Sequence, residues 1–86
     1  ALAFELGRIR WKKKQWKGAI APLEASLGDP KTAFGANYML GVALLESGEH
    51  ERAVKPLLRA IALEPNDYRS HRTLAAVYDK LGRRDD

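Results

Sequence analysis

The sequence predicts an all-α fold, an α–α superhelix (solenoid) of about two and a half antiparallel helix–turn–helix hairpins. Two observations lead to this fold class. Apolar and small residues recur with a period of about 34 residues, and glycine or proline stands between the helical segments. The 86 residues are therefore expected to form a single repeat domain, with repeat-like segments 1–33 and 34–67 and a partial segment 68–86.

A leucine followed by a small residue marks the same point of each repeat. The leucines are Leu6, Leu40 and Leu74, and the small residues are Gly7, Gly41 and Ala75. We expect these leucines to lie in the core and the small residues to let a neighbouring helix approach closely. The other matched pairs are Ala19 with Ala53, Ile20 with Val54, Pro22 with Pro56, and Leu23 with Leu57. Because both prolines recur at the same place, we expect a mild bend shared by their helices.

Capping residues and prolines between the apolar segments predict where helices begin and end. Five helices are predicted, over residues 2–13, 16–28, 31–47, 50–63 and 67–81. Asp29 and Pro30 are interpreted as the N-cap and the first residue of the third helix. Residues 65–67, Pro-Asn-Asp, separate the fourth helix from the fifth in the same way.

The turn inside each hairpin is predicted from a residue that follows the first helix. Gly48 and Gly82 can take the left-handed conformation that closes a helix without a clash at Cβ. Lys14 stands at the equivalent place in the first hairpin. We therefore expect the first turn to be strained or differently shaped.

The composition is that of a soluble α-helical domain, and the cytoplasm is favoured as its location. The chain has no cysteine, which excludes a disulfide scaffold and a thiolate metal site. The longest weakly polar stretch, residues 33–45, is too short for a membrane span of about 20 residues. No membrane span is therefore predicted.

The second repeat resembles the tetratricopeptide signature. The residues that carry the resemblance are Leu40, Gly41, Leu44, Gly48, Ala53, Leu57, Ala60 and Pro65. Partial matches in the other segments are Leu6, Gly7, Ala19 and Leu23 in the first, and Leu74, Ala75, Tyr78 and Gly82 in the third. The resemblance covers nearly the whole chain and implies a protein-binding scaffold.

In this family the first helix of each hairpin lines a concave groove that binds a segment of a partner. Carried onto this sequence, the groove positions are Phe4, Arg8, Trp11, Lys12, Tyr38, Val42, Leu45, Glu46, Arg69, Arg72, Ala76 and Lys80. The resemblance thus implies an apolar floor flanked by cations, which suits an extended or helical segment with apolar anchors and acidic residues. The alternative is that the apolar members only pack between neighbouring helices.

Some family members hold the C-terminal carboxylate of a chaperone tail with Lys, Asn and Arg side chains. The matching places in this sequence hold Phe4, Arg8, Met39, Arg69 and Thr73. Only Arg69 clearly fits that role, and Met39 cannot replace an amide donor. Chaperone-tail binding is therefore not predicted.

The positive charge is concentrated at the start of the chain. Residues 1–17 carry six basic side chains against one acidic, a net charge of +5, whereas the remaining 69 residues carry −1. The basic patch of this alternative consists of Arg10, Lys13, Lys14 and Lys17. Such cations beside Trp11 and Trp16 could bind phosphates while the rings stack on bases, or contact an anionic surface. A solvated turn with both tryptophans packed against neighbouring helices is favoured, because helical spacing spreads the charges over several faces.

Catalysis is not predicted. His50 and His71 lie on different predicted hairpins, and neither has a second ligand at zinc-binding spacing. No glycine-rich phosphate loop is present, and no nucleophile stands beside a base and a third orienting group. We therefore predict no enzyme activity, no metal and no cofactor.

The sequence thus predicts a scaffold for protein–protein interaction, with a protein or peptide partner whose identity it does not reveal. Contact with nucleic acid or an anionic surface through the basic first hairpin is the alternative, and nucleic acid is the less expected partner. Self-association is a further alternative, since the apolar ends of an incomplete array can stack end to end. Because the chain stops at residues 83–86, where a further helix would begin, we expect a piece of a longer array or multidomain protein. The alternative is that the fifth helix is a cap, with Arg69, Arg72 and Lys80 keeping its outer surface hydrated.

Overall fold

The computed structural model describes residues 2–82, which form five α-helices joined by short turns. The helices are α1 (Leu2–Lys12), α2 (Trp16–Ala25), α3 (Ala33–Glu46), α4 (His50–Leu63) and α5 (Tyr68–Leu81). No strand occurs in this part of the chain, and neighbouring helices pack on one another. The predicted all-α arrangement of hairpins is confirmed.

The helices stack so that α3 lies at the centre. α1 and α2 form the first hairpin, α3 and α4 form the second, and α5 packs on α4. α2 also packs on α3, while α1 and α5 each touch α3 from opposite ends of the stack. This position explains why the sequence of α3 is apolar nearly all round, with Glu46 as its only charged residue.

One core runs through the stack and consists mainly of the residues that recur between repeats. Its fully buried members include Ala19, Leu23, Leu40, Ala43, Leu44, Ala53, Leu57 and Val77. The small members of this set lie on facing helices, which is what a close helix–helix contact requires. Gly7 illustrates the closeness, because a Cβ atom on it would lie 2.7 Å from Leu23 Cγ.

The prediction that all three repeat leucines lie in the core is wrong for Leu6. Leu40 and Leu74 are 2% and 8% exposed, but Leu6 is 43% exposed. The reason is positional. The side of α3 that carries Leu40 packs on α2, and the side of α5 that carries Leu74 packs on α4. No helix within residues 2–82 covers the side of α1 that carries Leu6.

The prediction that Asp29 caps the third helix is also wrong. α3 begins at Ala33, and α2 ends at Ala25 instead of residue 28. The Asp29 carboxylate accepts a hydrogen bond from the Lys31 amide at 3.0 Å, and the Thr32 amide donates to the Asp29 carbonyl at 3.1 Å. These bonds form a tight turn around Pro30, which delays the helix by one turn.

The other predicted boundaries agree with the structure. Asp67 caps α5, since its carboxylate accepts a hydrogen bond from the Arg69 amide at 3.0 Å. Lys14 has a φ of 61°, in the left-handed region that Gly48 (87°) and Gly82 (75°) also occupy. The first turn therefore has the same backbone form as the later ones, but a side chain is held in a conformation that suits glycine.

Two further predictions concern the end of the chain and the membrane. Arg83 to Asp86, on which the expectation of a longer array rests, lie outside the described residues. Within residues 2–82, no helix has both the length and the apolar character that crossing a membrane requires.

Candidate partner-binding groove

Four aromatic rings from the first two hairpins form one cluster. Trp11 of α1 meets Trp16 edge to face, with ring centroids 5.9 Å apart, and meets the Tyr38 ring at 6.1 Å. Tyr38 in turn stacks on Phe34 one helical turn earlier, at 6.3 Å and with nearly parallel planes. The cluster thus joins α1 to α3 along the side where the first helices of the hairpins meet.

Arg69 extends this cluster to α5. Its guanidinium lies 5.2 Å from the centre of the Tyr38 ring and 5.8 Å from that of Phe34. Asp67 holds the guanidinium from the other side, accepting hydrogen bonds from Nε at 3.0 Å and from Nη2 at 2.7 Å. The carboxylate and the two rings therefore hold the Arg69 guanidinium in one position.

The pair of Asp67 and Arg69 also changes the proton affinities of both groups. The hydrogen bonds from the Arg69 side chain and backbone lower the pKa of Asp67 below its ordinary value of 3.8. The same carboxylate raises the pKa of Arg69 above its already high value. Both groups are therefore charged across the physiological range.

Arg72, predicted to lie in the groove, pairs mainly with its own helix. Its guanidinium lies 4.8 Å from the centre of the Tyr68 ring, one turn earlier in α5. Tyr68 and Arg72 occupy in α5 the positions that Phe34 and Tyr38 hold in α3. The Tyr38 ring stacks on Phe34 in α3, and the Arg72 guanidinium stacks on Tyr68 at the equivalent place in α5.

The remaining apolar residues of the predicted groove are half-buried. Phe4, Trp11 and Leu45 pack against the core, and Phe4 lies close to the backbone of α3 at Gly35. Val42 follows Tyr38 by one helical turn and is also half-buried. Phe4, Trp11 and Leu45 thus pack on neighbouring helices, and all four side chains keep part of their surface exposed.

The predicted cations are distributed along both ends of this surface. Arg8 pairs with Glu5 at 2.9 Å, and its side chain is 40% exposed. Lys12 is exposed at the end of α1. Lys80 borders a cleft of about 410 Å³ between the end of α3 and α5, whose other lining residues include Leu45, Glu46, His50 and Ala76.

The residues of the basic patch lie around the turn between α1 and α2. Lys13, Lys14 and Lys17 are exposed around the first turn. The Nη1 of Arg10 donates a hydrogen bond to the Gly18 carbonyl at 2.9 Å and so ties α1 to α2. Trp11 and Trp16 pack on each other and against the core.

Sequence reasoning missed Phe34, which stacks on Tyr38 and lies under Arg69. The signal that could have found it is its spacing, because residues i and i+4 of a helix share one face. The histidines predicted to lack catalytic partners lie apart, with His71 hydrogen-bonded to the Pro65 carbonyl oxygen at 3.0 Å. Within residues 2–82, no group of three His, Asp or Glu side chains is placed to hold a metal ion.

Comparison with known proteins supports the repeat resemblance. No family model matches the chain. It is similar to a curated protein of Arabidopsis thaliana named TPR repeat-containing thioredoxin TTL4, with 33% identity over 78 residues. The match covers 88% of this chain and 11% of that protein, so the chain spans a small part of its relative. The name of this relative agrees with the five stacked helices and with the positions that recur between the repeats of this chain. All three indicate a tetratricopeptide-type repeat.

Proposed function

Because the chain is a tetratricopeptide-type helical repeat, we propose that it is a protein-interaction scaffold whose concave groove binds an extended or helical segment of a partner protein. The groove is the surface lined by α1, α3 and α5.

The observation that supports this surface is the aromatic cluster with its fixed cation. Tyr38 lies at its centre, since it contacts Trp11, Phe34 and Arg69. Interfaces draw most of their binding energy from a few aromatic and arginine side chains that are held in place before binding. Tyr38 and Arg69 meet both conditions.

The charges around the groove suggest the chemistry of the segment. Lys12, Arg72 and Lys80 have no ion pair within the described residues, whereas Glu46 is the acidic residue of the predicted set. A segment with an apolar or aromatic anchor and flanking acidic residues complements this arrangement. The partner's identity does not follow from the groove.

The test is capture of the partner with a cross-linker placed in the groove. A photoreactive phenylalanine analogue at Tyr38 would be compared with the same analogue at Leu58, a half-exposed residue of α4 outside the groove. Cell extract would be treated with nuclease first, so that nucleic acid cannot bridge proteins. We expect a discrete protein adduct from position 38 that position 58 does not give.

A double variant provides the matching loss of function. Tyr38→Ala with Leu45→Ala removes two groove side chains, while Leu58→Ala with Leu63→Ala removes two exposed side chains of α4. Circular dichroism would check that both are folded. If the groove variant retains the adduct-forming protein as well as wild type does, the groove is not its binding site. Material captured only without nuclease would point to the basic first hairpin instead.

A further inference from the structure

An open cleft of about 380 Å³ lies between α2 and α4, over one side of α3. Its floor is formed by Asn37, Leu40 and Leu44 of α3, and beside them stand Leu27, just after α2, and Pro56 of α4. None of the residues that line it belongs to the partner-binding groove, which uses another side of α3. The cleft is complete within three consecutive helices of one chain. We call it the α2–α4 cleft.

The floor of this cleft carries a hydrogen-bond acceptor without a partner. Asn37 is 3% exposed, and its Nδ2 donates to the Ala33 carbonyl at 2.8 Å. Its Oδ1 has no hydrogen-bond partner among the described residues. A buried acceptor that lacks a donor costs free energy, and a donor brought by a ligand would remove that cost. The floor therefore favours a ligand with an N–H or O–H group.

The proline in α4 creates a second acceptor. Pro56 has no amide hydrogen, so the carbonyl of Arg52, four residues earlier, lacks its helical donor. In the first hairpin the equivalent proline leaves the Gly18 carbonyl in the same state, and the Arg10 guanidinium donates to that oxygen at 2.9 Å. Leu44 stands in the place of Arg10 in the second hairpin and cannot donate. Because Leu44, Arg52 and Pro56 all line the α2–α4 cleft, a ligand bound there can supply the missing donor.

The charges of the cleft favour an acidic ligand. Three cations, Arg52, Lys55 and Arg59, line it together with two carboxylates, Glu24 and Glu51. Arg52 is already paired with Glu24, at 2.8 Å and across the cleft. Lys55 and Arg59 are exposed, lie one helical turn apart on the same face, and have no ion pair among residues 2–82. Two cations at this spacing attract a carboxylate.

The two acceptors determine the conformation of the ligand. Beyond its first turn a helix uses its N–H groups internally, so its side cannot donate to the wall of a cleft. An extended segment leaves N–H groups free along its length. A second copy of this chain is not complementary in charge, since each copy carries a net charge of +4. An extended acidic segment of another protein meets all of these conditions.

We propose that the α2–α4 cleft binds a short extended acidic segment of a partner protein. Carboxylates of the segment pair with Lys55 and Arg59, and its backbone N–H groups donate to Asn37 Oδ1 and to the Arg52 carbonyl. Its apolar side chains pack on the floor beside Leu27. Because this cleft and the groove share no residue, the two surfaces can be occupied independently.

The probe that tests this proposal is a short blocked peptide of alternating Asp and Val residues. It is titrated into the isotope-labelled 86-residue chain, and the amide signals are followed by NMR. We expect the signals of Leu27, Lys55 and Arg59 to shift, and the same peptide with Asn for Asp to bind at least about tenfold more weakly. Methylation of the peptide's backbone nitrogens should weaken binding by at least about fivefold. Shifts confined to Tyr38 and Arg69 in the groove, or no binding, would overturn the proposal.

Variants with equal changes of charge identify the surface that binds. Lys55→Gln with Arg59→Gln removes the two unpaired cations of the cleft and should weaken binding of the Asp peptide by at least about tenfold. The matched control, Arg72→Gln with Lys80→Gln, removes two cations of the groove and should alter the affinity by less than about twofold. Circular dichroism confirms folding of both. Equal losses in the two variants would show that the net charge of the chain attracts the peptide, and the assignment to the cleft would fail.

Discussion

The backbone of Gly41 in α3 lies directly against the side chain of Leu57 in α4. A Cβ atom built on Gly41 would overlap both Cγ and Cδ2 of that leucine, which is fully buried. Gly7 and Leu23 show the same relationship in the first hairpin. The separation of the two helices within each hairpin is thus set by a glycine that faces a leucine.

Gly41→Ala is therefore expected to destabilise the fold. The methyl group must displace Leu57 or spread α3 from α4, and overpacking of this kind costs about 2 kcal/mol even though alanine favours the helix. Denaturant unfolding measures the free energy. Gly28→Ala is the control, because a Cβ there meets nothing within 4 Å, and it should change the free energy by less than about 0.5 kcal/mol. Equal stability of Gly41→Ala and wild type would contradict this view of the hairpin.

Lys14→Gly is expected to stabilise the chain by about 0.5–1 kcal/mol. Lys14 is the one described residue other than glycine with a positive φ, and glycine removes the clash of its Cβ while losing more entropy on folding. Lys13→Gly deletes the same charge at a position with ordinary backbone angles, so it should destabilise. Thermal and denaturant unfolding of both variants decide the matter. If both variants shift stability in the same direction, charge and not φ controls this turn.

The repeat matches predicted most of the fold, because each match reports a contact that recurs between hairpins. Leu40 and Leu74 are buried for this reason. Leu6 matches them in sequence but is exposed, since burial depends on a neighbouring helix and not on the residue alone. Asp29 failed as a cap because its carboxylate and carbonyl are used in the turn around Pro30. A local signal cannot show which of two nearby backbone amides an aspartate will bind.

The groove was predicted less completely than the fold. Position within the repeat pointed to Tyr38 and Arg69. The structure places the Arg69 guanidinium 5.2 Å from the centre of the Tyr38 ring. Position within the repeat did not reveal that Asp67 fixes the guanidinium, because that contact depends on the rotamers of both side chains. Phe34 was overlooked because repeat matching scores single positions, whereas its contribution comes from stacking on a residue one turn later.

In the Asp67→Asn variant, the free energy of unfolding should fall less steeply with decreasing pH than in wild type. The folded-state pKa of Asp67 lies below its ordinary value, so its charge stabilises the fold above the unfolded-state pKa. That contribution is lost as the pH falls from about 4 through the lower folded-state pKa. Asparagine is also a good N-cap, so the variant removes the titration while keeping the cap. Urea unfolding at several pH values between about 2 and 7 measures the slope.

The partner of Asp67 provides the check on this assignment. Arg69→Gln removes the side-chain hydrogen bonds that are the largest cause of the lowered pKa. It should flatten the acid slope in the same direction as Asp67→Asn, and combining the two changes should add little. An acid slope identical to wild type in both single variants would mean that other carboxylates control the pH dependence.

Binding of a captured partner segment should weaken with salt without disappearing. Charges at Lys12, Arg72 and Lys80 are exposed and therefore screened, since the Debye length falls from about 10 Å at 0.1 M salt to about 3 Å at 1 M. The aromatic contacts at Tyr38 are not screened. Titration of the segment cross-linked at Tyr38, made as a free peptide, would be repeated across this range. A loss of all binding at high salt would favour a purely electrostatic contact with the basic hairpin.

Tyr38 and Arg69 are expected to depend on each other energetically. Each single change, Tyr38→Ala or Arg69→Gln, breaks the contact between ring and guanidinium, so the double variant should lose less stability than the two single losses combined. Tyr38→Ala combined with Arg59→Gln is the control. Arg59 is exposed on α4 and makes no ion pair or ring contact within residues 2–82, so these two effects should add within about 0.5 kcal/mol. Strict additivity in the Tyr38 and Arg69 cycle would mean that the cation is held by Asp67 alone and does not organise the groove floor.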